Sequence, residues 1–260
     1  MKHTDLIQFK QRGEKITCLT AYDASFAKMI ENSGVDSILV GDSLGMVVQG
    51  EKSTRTVSVS DMVYHTKAVA SVCDNCLIIA DMPHHSYDDS STALINAKSL
   101  ISAGAHMIKL EGGAERKSVI EALIANNIPV FSHLGLQPQQ VKDASDYKIQ
   151  GKDPSSAKAI IEDAILLESL GVSALVLECV PSPLAKLITE RLSIPTIGIG
   201  AGKDCDGQVL VCFDMLGITQ GRLPRFVRNF AHGNVDIPAA IRDFAAAVKG
   251  HTFPAERESY

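Results

Sequence analysis

With 260 residues, 45% of them apolar, and a formal net charge of −5, the chain can bury one large core and is wrongly charged for nucleic acid or an anionic membrane surface as a partner. No apolar stretch reaches the ~18 residues of a membrane span, and the opening MKHTDLIQFKQRGEK lacks the apolar core of a secretory signal, so a cytoplasmic location is expected. The six cysteines mostly sit in or beside apolar runs, where a thiol acts as a small apolar residue; Cys73 and Cys76 form an isolated C-x-x-C without the further ligands that zinc needs.

Asp5–Gln11 is expected as a short helix that plugs or flanks the fold. Lys15–Asp23 reads as the first strand and its exit loop, followed by a helix to Ser33 that Asp23 caps and Gly34 stops. Ser37–Ser43 (SILVGDS) is strand two, and a long loop leads to a helix opened by Ser58 or Ser60 and running to about Val72. Cys76–Asp81 (CLIIAD) is strand three, with the loop MPHHSYDDS before a helix from Ser90 or Ser91 to Ala103. HMIKLE is strand four, Glu115–Asn127 a helix, and IPVFSHLG strand five. After a polar loop, Leu136–Pro154, come a helix over Ser155–Leu170, strand six in SALVLEC, a helix over Pro183–Leu192 and strand seven in IPTIGIG. The eighth strand is placed at Met215–Ile218. A final helix spans Ile237–Val248, and the polar tail HTFPAERESY is expected to fray. Strand and helix alternate about eight times without a Pro-, Gly- or Ser-rich linker, which predicts one α/β domain, a (β/α)8 TIM barrel, over an open doubly wound sheet.

Five of these apolar runs end in a polar group: Asp42, Asp81, Glu111, His133 and Glu178. In a barrel such strand ends converge on one mouth. A buried carboxylate is costly unless compensated, and Asp42, Asp81 and Glu111 on successive strands suggest a shared hard cation, with magnesium suited to oxygen ligands. Each carboxylate capping a helix or pairing with a lysine is the alternative. Lys109 lies two residues before Glu111 and so shares its strand face; it can form an ion pair or hold a substrate oxygen. His133 can bind an anionic group or shuttle a proton. Glu178 has no cationic neighbour in sequence, and an apolar setting would raise its pKa toward that of a general base. Ser43 can donate to a substrate carboxylate or cap a turn. GIGAG (Gly198–Gly202) does not match a phosphate loop and reads as close packing; His84-His85 reads as surface histidines. Together these groups fit removal of the proton beside the carbonyl of a 2-oxo acid, with the resulting carbanion equivalent attacking an electrophile.

At these residues the sequence resembles the ketopantoate hydroxymethyltransferase family. The resemblance is carried by TAYDASFAK, LVGDSLGMVVQG, YHTKAV, ADMP, IKLEGG, HLGLQPQ, YKIQG, LVLECVP, IPTIGIGAG, DGQVLV and PRFVRNF, from about Thr20 to Phe230. It implies a barrel of the phosphoenolpyruvate/pyruvate-binding type. The implied reaction transfers a hydroxymethyl group from 5,10-methylenetetrahydrofolate to 3-methyl-2-oxobutanoate through a magnesium-stabilised enolate, giving 2-dehydropantoate for pantothenate synthesis. It also implies one Mg2+ per subunit at Asp42 and Asp81 with Glu111 in the cluster, and substrate contacts at Asp42, Ser43, Asp81, Lys109 and His133. Glu178 corresponds to the proton acceptor, and a homodecamer is expected. The chain departs from the family pattern at His84-His85, where an aromatic is frequent, and at Ser145-Asp146, where Gly-Gly is common. A lyase of the same barrel type and a catalytically dead barrel serving as an assembly subunit are the competing readings; the intact polar set speaks against the second.

Overall fold

The computed structural model describes residues 1–141, 147–233 and 235–260. Eight strands close into a barrel in sequence order: β1 Ile16–Thr20, β2 Ser37–Val40, β3 Leu77–Asp81, β4 Met107–Glu111, β5 Val130–Gly135, β6 Ala174–Glu178, β7 Thr196–Ile199 and β8 Gly207–Leu210. All neighbours are parallel, and β1 pairs with both β2 and β8. The helices are α1 Asp5–Arg12, α2 Ala24–Asn32, α3 Leu44–Val47, α4 Val59–Ala70, α5 Ser90–Ser102, α6 Lys117–Ala125, α7 Pro154–Ser169, α8 Ser182–Arg191, α9 Cys212–Met215 and α10 Ile237–Lys249. None of the described helices is long and apolar enough to cross a membrane.

Alternation along each strand sorts its side chains into two apolar layers. Ile16, Cys18, Leu39, Leu77, Ile79, Met107, Phe131, Ala174, Val176, Ile197 and Val209 pack together inside the barrel. Leu6 of α1 joins that cluster with Phe9 against it, so α1 plugs the barrel floor. The intervening residues, such as Ile38, Ile78, Ile108 and Leu175, pack outward against the helices. Helix starts use aspartate more than serine. Asp89 and Asp153 accept from backbone N–H groups at the openings of α5 and α7, one and two residues before the serines expected there. Ser58 and Asp61 form a capping box on α4.

Two expectations change. The eighth strand is Gly207–Leu210; Met215 belongs to α9, and Ile218 lies beyond the turn at Leu216 and Gly217, outside any strand. Nor does the C-terminal tail fray. Glu258, 4% exposed, takes both a 2.8 Å and a 2.6 Å bond from Arg228, and the Ser182 N–H donates to the Tyr260 carbonyl at 2.8 Å. All six cysteines are free, and Cys18, Cys76, Cys179, Cys205 and Cys212 are buried, as apolar packing requires. The GIGAG segment is close packing: a side chain at Gly200 would meet the Phe226 ring at 2.7 Å, and one at Gly202 would meet Ser182 Oγ at 2.5 Å.

Candidate active site

The inward phase of β3, β4, β5 and β6 carries into their C-terminal ends. On β3 the series Leu77, Ile79 ends in Asp81; on β4 Met107 leads to Lys109 and Glu111; on β5 Phe131 leads to His133; on β6 Ala174 and Val176 lead to Glu178. Parallel register sets Asp81 beside Lys109, Glu111 beside His133 and Gly135 beside Glu178. Lys109, Glu111, His133 and Asp81 are each 5% exposed or less, whereas the Glu178 side chain is 13% exposed. Of the four strand-end carboxylates, Glu178 is therefore the one most open to the mouth. Gly135 permits the close approach of β5 to β6 there: a Cβ would fall 2.2 Å from the Glu178 carbonyl oxygen, and its φ of +93° suits glycine.

Asp42 arrives differently. Strand β2 ends at Val40, and Asp42 lies beyond it in the turn to α3. Its backbone N–H donates to Asp81 Oδ2 at 3.1 Å. Gly41 allows this approach, since a Cβ there would lie 2.9 Å from Ser43 Oγ and 3.5 Å from Asp81 Oδ2. Ser43 Oγ is 2.9 Å from the Tyr22 hydroxyl.

Lys109 Nζ donates to Asp81 Oδ1 at 2.5 Å and lies 3.9 Å from Glu111 Oε1. His133 stands between two carboxylates, with Nδ1 3.6 Å from Glu111 Oε1 and Nε2 3.3 Å from Glu178 Oε2. These are ion-pair distances outside hydrogen-bond geometry, and Glu111 Oε1 and both ring nitrogens are buried with no hydrogen bond among the described residues. The wholly apolar setting expected for Glu178 is thus corrected: the nearest charged group is His133, which sequence separation concealed.

Electrostatics divides the cluster. Burial, then the charges of Asp81 and Glu111, push the Asp42 carboxyl well above its ordinary value. Burial also raises Asp81, although Lys109 opposes it. Burial would raise Glu111 too, but His133 and Lys109 outweigh it and the net shift is downward. Burial works against the Lys109 charge; Asp81, Glu111 and Asp42 overcome it and hold the ammonium above its ordinary value. Burial opposes the His133 charge as well, yet Glu111 and Glu178 lift the imidazole to about 9.

Sequence reasoning gave Gln139 no role, yet it ties the cluster together. Fully buried, it donates from Nε2 to Asp42 Oδ2 at 2.8 Å and to the Met82 carbonyl at 2.9 Å, and its backbone N–H donates to Glu111 Oε2 at 3.0 Å. The Tyr87 hydroxyl in turn donates to Gln139 Oε1 at 2.5 Å. Gln139 lies in a short 3-10 turn after β5, Pro138–Gln140, where no strand period marks it. Among the described residues no set of three His, Cys, Asp or Glu side chains is arranged as a metal cage: Lys109 stands between Asp81 and Glu111, and Gln139 takes an oxygen of Asp42 and another of Glu111. Ser145 and Asp146, the second departure from the family pattern, lie outside the described residues.

The model of the ketopantoate hydroxymethyltransferase family matches residues 1–256. A 3-methyl-2-oxobutanoate hydroxymethyltransferase of Ruthia magnifica subsp. Calyptogena magnifica is 56% identical over 255 residues, covering 98% of each chain. One of Marinobacter nauticus is 53% identical over 98% of this chain and 97% of its own. Among solved structures, phosphonopyruvate hydrolase in complex with oxalate and Mg2+ superimposes with a TM-score of 0.63 at 15% identity, over 81% of each chain. Oxaloacetate acetylhydrolase with 3,3-difluorooxalacetate gives 0.63 at 13% identity, over 98% and 97%, and 2,3-dimethylmalate lyase, of the PEP mutase/isocitrate lyase superfamily, gives 0.60 at 14%, over 83% and 82%. At such identities these structures share the fold.

Proposed function

The chain belongs to the ketopantoate hydroxymethyltransferase family and transfers a hydroxymethyl group to 3-methyl-2-oxobutanoate in pantothenate biosynthesis, and from that premise we propose how the barrel-mouth residues divide the reaction. Glu178 is the base: it takes the proton from C3 of the keto acid, and the electron pair left at C3 delocalises onto the C2 oxygen. That carbon then bonds to the methylene carbon of 5,10-methylenetetrahydrofolate, the one-carbon donor. Both C–N bonds of that methylene carbon break, water supplies its hydroxyl oxygen, and the two water protons together with the one held by Glu178 go to N5, N10 and the new hydroxyl as tetrahydrofolate and 2-dehydropantoate leave.

The observation that carries this reading is the placing of Glu178, the most open of the four carboxylates, with His133 Nε2 3.3 Å from Oε2. A histidine lifted to about 9 is an imidazolium at neutral pH, so it orients Glu178 and offers a positive charge to the substrate. Lys109, held protonated by its carboxylate neighbours, and Ser43, set by the Tyr22 hydroxyl, bind the keto acid's carboxylate. These contacts hold C3 toward Glu178 and fix the geometry that proton abstraction needs.

Magnesium fits the donor set. Asp42, Asp81 and Glu111 offer only oxygen, Glu111 Oε1 is buried without a hydrogen bond among the described residues, and Asp42 is raised by burial and then by the charges of Asp81 and Glu111; a hard divalent cation answers each. Asp42 and Asp81 would hold it, with Glu111 a third ligand or a partner through water. When bound, the ion supplies Lewis-acid stabilisation of charge on the keto oxygen. A homodecamer in the cytoplasm belongs to the same reading, and light scattering checks the assembly.

The test follows deuterium uptake at C3 of 3-methyl-2-oxobutanoate with Mg2+ and without folate. Glu178→Gln keeps keto-acid binding and loses exchange; exchange at the wild-type rate would remove Glu178 as the base.

A further inference from the structure

The His84-His85 pair has no part in the chemistry above, yet it stands at the barrel mouth. It follows Asp81 in the β3–α5 loop, and the Met82 carbonyl between them is held by Gln139. In the neighbouring loop after β2, Arg55 lies in a 3-10 turn, Thr54–Thr56. Its Nη2 lies 3.1 Å from His84 Nε2. A guanidinium only donates, so Nε2 accepts and the proton of this imidazole sits on Nδ1. Burial and the charges of His85 and Arg55 agree with a neutral ring, holding His84 below its ordinary value. His85 lies against His84 with centroids 3.8 Å apart and rings tilted by 39°, and Asp88 is committed to His85 Nδ1 at 2.7 Å.

Arg55 is half-buried and has no carboxylate at ion-pair distance among the described residues; its side-chain hydrogen bond goes to a neutral imidazole. A partly desolvated guanidinium is poorly served by one neutral acceptor, and its planar fork matches a carboxylate. We propose that Arg55, backed by His84, seats a carboxylate on the glutamate tail of the folate co-substrate. This rests on the reading of 5,10-methylenetetrahydrofolate as donor. The tail fits better than the keto acid because the keto acid has one carboxylate, which Lys109 and Ser43 already receive among the buried carboxylates, whereas the folate tail brings carboxylates of its own. A folate whose methylene carbon reaches C3 must run its far, anionic end out through the barrel mouth. Arg55 and His84 are then specificity residues for the donor, outside the proton-transfer machinery.

The experiment measures KM for methylenetetrahydrofolate with one and with three glutamates, KM for 3-methyl-2-oxobutanoate, and folate-free C3 deuterium exchange, in wild type, Arg55→Ala and Arg55→Lys. Arg55→Ala is expected to raise the folate KM at least tenfold and to leave the keto-acid KM and the exchange rate within twofold, with Arg55→Lys intermediate. An unchanged folate KM in Arg55→Ala overturns the proposal. So does a matching rise in keto-acid KM, or loss of exchange in both variants, since either places Arg55 in the keto-acid half of the reaction. Wild-type turnover with methylenetetrahydrofolate tests the donor itself, so failure of that reading is separable from failure of the seat.

Discussion

Gln139 shows what one neutral side chain does among charges. Its amide nitrogen bridges Asp42 and the Met82 carbonyl, its backbone N–H holds Glu111, and its amide oxygen is fixed by Tyr87. Two of the three proposed magnesium ligands are therefore oriented by one residue, and a group that orients ligands is worth roughly 10–100-fold in metal affinity. Gln139→Leu is expected to weaken Mg2+ binding by about tenfold or more on that scale, read by calorimetric titration of the free enzyme; an unchanged affinity would show that Asp42 and Glu111 hold their places unaided. Asp81→Ala should weaken binding further, since it removes a proposed ligand. Asp81, Glu111 and Glu178 were legible in the sequence because period-two alternation carries an inward face to a strand's last residue, and His133 because it keeps the same phase two residues before the end of β5. Gln139 was not, because its position comes from a loop returning over the mouth. The His133–Glu178 pairing was hidden for a related reason: adjacency of β5 and β6 sets it, while 45 positions of sequence separate the two residues.

Among the elements, seven strands announced themselves as apolar runs and β8 did not. Gly207-Gln208-Val209-Leu210 contains a glycine and a buried glutamine whose Nε2 donates to the Gly202 carbonyl at 2.9 Å, so it reads as a turn. Both residues serve closure. A Cβ at Gly207 would lie 2.4 Å from the Ile16 carbonyl oxygen and 2.6 Å from Ile197 Cδ1, which means β8 fits between β1 and β7 only with glycine there. Gly207→Ala should therefore destabilise the protein by about 1–3 kcal/mol, the range for overfilling a packed interior, seen as a lower urea midpoint. The helix starts behave more simply. Asp89 caps α5 through the Ser91 and Thr92 N–H groups, and Asp89→Ala should lower the urea midpoint in the same measurement.

Across the whole molecule, stability should carry the mark of the mouth in its pH dependence. His133 is 2% exposed and flanked by Glu111 and Glu178, with Lys109 opposing its charge. Its imidazole titrates at about 9 in the folded chain, against about 6.5 when unfolded. A folded value above the unfolded one gives stability that is complete below about pH 6.5 and drains away as pH rises through about 9. Other buried groups contribute as well. Glu111, lowered by His133 and Lys109, contributes stability that is lost only on acidification, and Asp42, raised by burial and its neighbours, stops favouring the fold as pH rises from the acid side. The buried thiols are raised by desolvation, so they begin to favour the unfolded chain only above about pH 8.5. From pH 6.5 to 8.5 the loss from His133 adds to any from the raised carboxyls of Asp42 and Asp81, and a His133→Gln profile separates its share. In metal-free protein the unfolding free energy should fall by roughly 2–3 kcal/mol across that interval, measured by urea titration at several pH values. His133→Gln, lacking the titrating ring, should show the His133 share of that slope removed; a wild-type profile flat over the interval would mean that the ring between the two carboxylates is neutral, and Glu178 would then stand without the cation that the proposed reaction sets beside it.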